Sequence, residues 1–183
     1  DYTVSLSNDN DRFGADGPVA IADRDGLPLE QQYSKFSGKF DNPRLSTAFA
    51  YDFGGNVVGN LNLSYGEDFY VRREPETATR AQGPVRFRDV RVDEDGPEYE
   101  LGGDIQLPLG PGRLKLIGLE RFERDNYTST LIDSFSDDSI PTGSRFQQTN
   151  AAGERIGRFE YDWKLWNADW QLSGEAAFNR LER

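Results

Sequence analysis

Apolar side chains along this chain recur at every second position, and no stretch sustains the i, i+3, i+4, i+7 stripe that a helix needs. Leu45, Thr47, Phe49, Tyr51 and Phe53 fall on one face of an extended segment, with Ser46, Ala48, Ala50 and Asp52 on the other. Val57, Gly59, Leu61, Leu63 and Tyr65 then oppose Val58, Asn60, Asn62 and Ser64. The same alternation sets Tyr99, Leu101, Gly103, Ile105 and Leu107 against Glu100, Gly102, Asp104 and Gln106. It recurs in Phe159, Tyr161, Trp163 and Leu165, and again in Trp170, Leu172, Gly174, Ala176 and Phe178. A shorter version at the start has Tyr2, Val4 and Leu6. One strand is less clean: Leu114, Leu116, Gly118 and Phe122 share a face, while Ile117 and Leu119 lie on the other, which points to contact with buried protein on that side. The pattern predicts an all-β antiparallel meander.

The connections add a second signal. Gly54-Gly55-Asn56, Pro108 to Gly112 and Trp166 to Ala168 read as tight turns. Asn8 to Glu30, Arg72 to Arg86 and about Ser134 to Gly143 read as long polar loops. Short turns on one side and long loops on the other is the asymmetry of an outer-membrane barrel, whereas the connections of a soluble sandwich vary irregularly. Tyr51, Phe53, Trp163, Trp166 and Trp170 gather beside the short turns, where such a barrel carries an aromatic girdle. The asymmetry also bears on the strand count. With a turn at Asn42-Pro43 the chain has eight strands, a complete small barrel, and its long loops fall on both sides. With Asn42-Pro43 inside one strand from about Gln31 to Phe53 there are seven strands, and every long loop lies on one side. The seven-strand reading is preferred, with Pro43 at an edge, a bulge or beyond the membrane. Seven is an odd count, so residues 1–183 are expected to be a single partial barrel-wall segment, with the remaining strands outside this chain.

Composition narrows the chemistry. The 183 residues carry 32 acidic against 21 basic side chains, a net charge of −11, with no His, Cys or Met. Nucleic acid is not an expected partner, because its binding rests on Lys and Arg displacing phosphate counterions. Missing Cys and His remove thiolate nucleophiles, imidazole bases and zinc sites, and no nucleophile and base pair is visible, so no enzyme, catalytic residue or cofactor is expected. Mean hydropathy is −0.75, yet 13% aromatic residues at alternating positions do not belong to a disordered coil.

Three acidic stretches, Asn8-Asp9-Asn10-Asp11, Asp23-Arg24-Asp25-Gly26 and Asp93-Glu94-Asp95-Gly96, lack EF-hand spacing and read as plain turns. Glu120 and Glu123 project to opposite faces, so they form no glycosidase dyad and are expected in a solvated or lumen-lining charge row. Arg72, Arg73, Arg80, Arg86, Arg88 and Arg91 make the second long connection basic. Pairing with Glu67, Asp68, Glu74 and Glu76 is favoured over capture of lipopolysaccharide phosphates or another anion. Asn126-Tyr127-Thr128 matches a glycosylation acceptor that has no meaning in a bacterial outer membrane.

The stretch from Gly112 to Glu123, then Pro141-Thr142-Gly143-Ser144-Arg145-Phe146 and Ala168 to Asn179, resembles the barrel part of TonB-dependent-receptor-like outer-membrane proteins of Gram-negative bacteria. Asn42-Pro43-Arg44-Leu45-Ser46 and Asn60-Leu61-Asn62-Leu63 are in similar style. The resemblance implies a 22-stranded barrel with an N-terminal plug, taking up a scarce ligand with energy relayed from an inner-membrane complex. Its implied partners are outer-membrane lipid and lipopolysaccharide, the remaining strands and a plug domain. No ligand-binding residue carries over. The rival readings are a non-transporting structural or adhesive barrel and a soluble β-sandwich binding module.

Overall fold

The computed structural model describes residues 1–183. They form one sheet of seven antiparallel strands in sequential order: β1 (Tyr2–Ala22), β2 (Pro28–Gly54), β3 (Val57–Arg80), β4 (Arg86–Leu109), β5 (Gly112–Phe135), β6 (Thr142–Leu165) and β7 (Ala168–Glu182). There is no helix. Of 131 backbone hydrogen bonds, 126 lie within the strands, so the ladder accounts for nearly all backbone pairing. A strand of 24 residues, such as β3, β4, β5 or β6, is about 80 Å long at ~3.3 Å per residue, far beyond the usual strand of a soluble sandwich.

Asn42 and Pro43 lie inside β2, as the seven-strand reading requires, and the complete eight-strand alternative is not the observed fold. Proline is unfavourable in an interior strand because it has no N–H to donate. Pairing of β2 with β3 resolves this by lapsing between Asp41–Phe69 and Arg44–Gly66. A similar lapse between β4 and β5, from Asp95–Asn126 to Glu98–Glu123, takes up Pro97.

The expected long loops are much shorter than the sequence suggested. The connections on that side are residues 23–27, 81–85 and 136–141, while those on the other side are the two-residue turns 55–56, 110–111 and 166–167. The asymmetry therefore holds, but most of Asn8 to Glu30 and of Arg72 to Arg86 is strand, as are both ends of Ser134 to Gly143. Two of the three acidic stretches are corrected with them: Asn8 to Asp11 lies within β1 and Asp93 to Gly96 within β4. Only Asp23 to Gly26 is a turn, where the Asp23 carboxylate accepts from the backbone N–H of Asp25 and Leu27, both at 2.9 Å. The short turns use left-handed backbone at Gly55, Asn56, Trp166 and Asn167, the conformation that joins twisted strands tightly.

No hydrophobic core underlies this sheet. The buried apolar residues are Ala78, Val92 and Ala151, and no large side chain is fully enclosed.

Candidate functional site: two faces of one wall

Register carries the alternation of each strand onto its neighbours, so the two faces can be read across the sheet. One row runs Tyr2–Phe49–Leu61–Gly103–Gly118–Gly157–Ala176 through successive pairs. Two residues away, Leu116 pairs with Ile105 and Phe159, and Phe159 with Gly174. All apolar members of the sequence pattern thus share one face, and they are left uncovered: Phe49 and Leu61 are each 47% exposed and Phe178 63%. Rings close this face at the short turns. Tyr51 meets Phe53 at 4.8 Å between centroids, Tyr161 stacks on Trp163 at 5.2 Å, and Trp163 lies 6.4 Å from Trp170. Trp166, at the tip of its turn, is 84% exposed.

The opposite face is polar and concave. Along β2 its even-numbered residues from Glu30 to Ala48 are shielded while most odd-numbered ones are exposed. Strands two apart, about 9.6 Å in a flat sheet, also touch on this side. Phe13 of β1 reaches Tyr70 of β3 across Gly38, where a Cβ would collide with the ring. Asn42 and Arg44 of β2 reach Glu98 of β4, and Arg86 of β4 reaches Glu30 of β2 at 3.3 Å. A flat or oppositely curled sheet would hold these groups apart.

Three groups occupy the concave face. Nearest the longer connections is an ion-pair network: Glu30 takes Arg80 at 2.5 Å and Arg86 at 3.3 Å, Arg86 also meets Glu76 at 2.8 Å, and Arg88 grips both oxygens of Asp133 at 2.8 Å. The arginine cluster is therefore paired, as expected, but with partly different partners. On the concave face Arg72 meets Glu74 and Asp68 accepts from Asn42, while on the convex face Arg73 meets Asp89, Arg91 meets Asp93 and Glu67 accepts from Tyr65.

Below lies an acidic tier. Buried Asn42 donates to Asp68 and Glu98, and Arg44 pairs with Glu98. Asp68 and Asp125 face each other from β3 and β5 over Gly96, where a Cβ would strike the Arg124 carbonyl. Desolvation, then repulsion from Asp68 and its acidic neighbours, raises Asp125 and Glu94 from their ordinary values. The hydrogen bonds from Arg88 instead lower Asp133.

These shifts act oppositely on stability. A carboxyl raised in the native state binds its proton more tightly there than in the unfolded chain, so stability rises as pH falls from neutral through the folded value. Asp133, depressed by Arg88, contributes stability that is lost as pH drops below the ordinary carboxyl range. Resistance to denaturant is expected to peak under mildly acidic conditions. Asp125→Asn should raise the urea midpoint at pH 7 and flatten the rise on acidification; an unchanged pH profile in that variant would remove the acidic tier as its source.

The third group is apolar: Gly102, Leu119, Ile156 and Ala177 pair in one row, with Ile117 beside Leu119. The sequence exposed half of it through Ile117 and Leu119, and only register added Ile156 and Ala177.

Glu120 and Glu123 diverge as expected, and Glu120 is the one that leaves the polar face. It sits on the apolar face, where it takes Arg155 at 2.8 Å and the Tyr99 hydroxyl at 3.2 Å. Arg155 is 35 positions away, so period-2 reading cannot pair them.

No known protein family matches this chain, and no curated protein does. Two solved structures of a Pseudomonas aeruginosa receptor align with it weakly. FpvA bound to a heterologous pyoverdine with iron gives 8% identity and a TM-score of 0.33, covering 99% of this chain and 37% of that one. The outer-membrane ferripyoverdine receptor bound to ferripyoverdine gives 9% and 0.21, with the same coverage. Scores this low do not establish a common fold. The chain spans just over a third of those structures.

Proposed function

We propose that this chain is a wall segment of a bacterial outer-membrane β-barrel, part of a transporter or receptor that takes up a scarce ligand by a TonB-dependent route. The observation that carries the membrane reading is the sense of curvature: the apolar face is convex and uncovered, and the polar face is concave. A soluble sandwich buries its apolar face against a second sheet, whereas a barrel in lipid turns it outward and keeps polar groups in the lumen. The dimensions agree. The apolar stretch occupies roughly ten residues per strand, which at ~3.3 Å per residue and a tilt of ~40° spans about 25 Å, the height of the hydrocarbon band of such barrels. Tyr161, Trp163 and Trp170 then lie at the interface on the short-turn side.

The uptake reading rests on the family resemblance and on the concave face. An open water-filled channel has no use for a patch such as Leu119, Ile156 and Ala177, and a luminal domain packed there would cover it. The inner-membrane energy-transducing complex and the identity of the ligand follow only from the resemblance. A structural or adhesive barrel without transport shares the same wall.

Spin labels test the orientation. Leu45, Phe49, Leu61, Leu63, Leu101, Ile105, Leu116, Phe159, Trp163, Leu172 and Phe178 should report high oxygen accessibility in a bilayer. Asn60, Asn62, Asp104, Gln106, Glu160, Asp162, Ser173 and Glu175 should report low values. The reverse ranking would overturn the barrel and favour a sandwich. Uptake is tested separately by whether cells lacking the inner-membrane energy-transducing protein lose accumulation of the ligand; accumulation unaffected by that loss leaves the structural barrel.

A further inference from the structure

Beyond the apolar band the convex face carries the Lys39–Asp41, Arg73–Asp89 and Arg91–Asp93 pairs of β2 to β4 and, directly at the edge of the band, a further concentration of charge. Across β5, β6 and β7 the successive rows there are Glu120–Arg155–Phe178, Phe122–Gly153–Arg180 and Arg124–Ala151–Glu182. The middle strand contributes Gly153 and Ala151, so its flanks stand above it and enclose a groove of about 310 Å³. Arg124 and Arg180 form opposite walls, and Arg155 lies at the foot. Arg155 is held by Glu120, and Arg180 by Glu182 with its Nε at 2.9 Å. Arg124 has no carboxylate partner; its guanidinium lies 5.9 Å from the Phe122 ring centre. The three guanidiniums exceed the two carboxylates by one positive charge, on a chain whose overall charge is −11.

One row below the Glu120–Arg155 pair, toward the middle of the band, the face is smooth, because Gly118, Gly157 and Ala176 stand side by side there. Leu116 and Phe159 follow below. A guanidinium-lined groove thus opens onto a shallow apolar track along the strand direction.

We propose that this groove binds the phosphorylated headgroup of an outer-leaflet lipid, with Arg124 and Arg180 gripping the phosphate and an acyl chain lying over Gly118, Gly157 and Ala176. The proposal rests on the outer-membrane reading above, which puts the longer connections, and so this end of the apolar band, at the outer leaflet. Guanidinium suits phosphate because its planar fork donates two parallel hydrogen bonds. A soluble anion would gain from the arginines but not from the apolar track. A lipid uses both.

The test uses the complete protein, extracted in detergent and examined by native mass spectrometry with diphosphorylated lipid A, its dephosphorylated form and inorganic phosphate as probes. Flotation with phosphatidylcholine vesicles is read first for every variant. Retention of the diphosphorylated lipid should exceed that of the dephosphorylated form. The double substitution Arg124→Gln with Arg180→Gln should lower it by about tenfold, the scale of losing charge-assisted hydrogen bonds. Arg124→Lys with Arg180→Lys should restore part of it. Equal retention by wild type and the glutamine variant, with both floating, overturns the site and leaves the barrel standing. Full competition by inorganic phosphate at the lipid's own concentration overturns the lipid as occupant. Wild-type protein that does not float overturns the membrane reading and this proposal together.

Discussion

Leu61→Arg should destabilise the protein by about 2–4 kcal/mol, while Asn62→Arg, one residue away, should change stability by no more than about 0.5 kcal/mol. Leu61 lies midway between Val57 and Tyr65 on the convex face, at the centre of the apolar band, so an arginine there must be held in hydrocarbon. Asn62 projects to the concave side, where a cation meets water and carboxylates. Tyr65→Arg, at the upper edge of the band, should cost only ~0–1 kcal/mol, because the penalty falls toward the interface. Urea unfolding in lipid vesicles measures all three. A flat response across Leu61 and Tyr65 would show that the apolar face meets water or protein instead of lipid.

Expressed alone, residues 1–183 should aggregate or stay unfolded in detergent micelles. The two edge strands, β1 and β7, each leave one side of the ladder unpaired, and in hydrocarbon every such backbone group costs several kcal/mol. Pairing the edges with each other would not restore an ordinary barrel. With seven antiparallel strands, β1 and β7 run in the same direction, so that seam would be parallel. An even-stranded, all-antiparallel wall needs an odd number of further strands between them. The readout is electrophoretic mobility with and without heating, together with protease resistance. A monomeric, heat-modifiable, protease-resistant product from these residues alone would sink the reading of the chain as a partial wall.

The legibility of the chain follows where its strands lie. Between Leu45 and Tyr65, or Phe159 and Phe178, one face is apolar and the other polar, so period 2 is written in the residues and needs no fold to be seen. The preference for seven strands over eight also came from sequence, because only one placement of Asn42-Pro43 put all longer connections on one side. Beyond the apolar band the code disappears. Asn8 to Asp11, Arg72 to Arg80 and Asp93 to Gly96 are polar on both faces, and a strand wet on both sides has the composition of a loop. What holds those residues extended is the ladder to their neighbours, with ion pairs such as Arg73–Asp89 and Arg88–Asp133 across it.

The sequence by itself therefore determined the strand class, the two faces and the odd strand count, since each is a local consequence of alternation and turn chemistry. Only the tertiary structure decided which face is concave, because curvature is a property of the whole sheet: it appears in contacts such as Phe13–Tyr70 and Asn42–Glu98, between strands that are not neighbours. The tertiary structure alone also paired Glu120 with Arg155 and gathered Arg124, Arg155 and Arg180 around one groove. Those positions are joined by inter-strand register, which sums turn lengths and ladder irregularities over scores of residues and is not encoded at any single one of them.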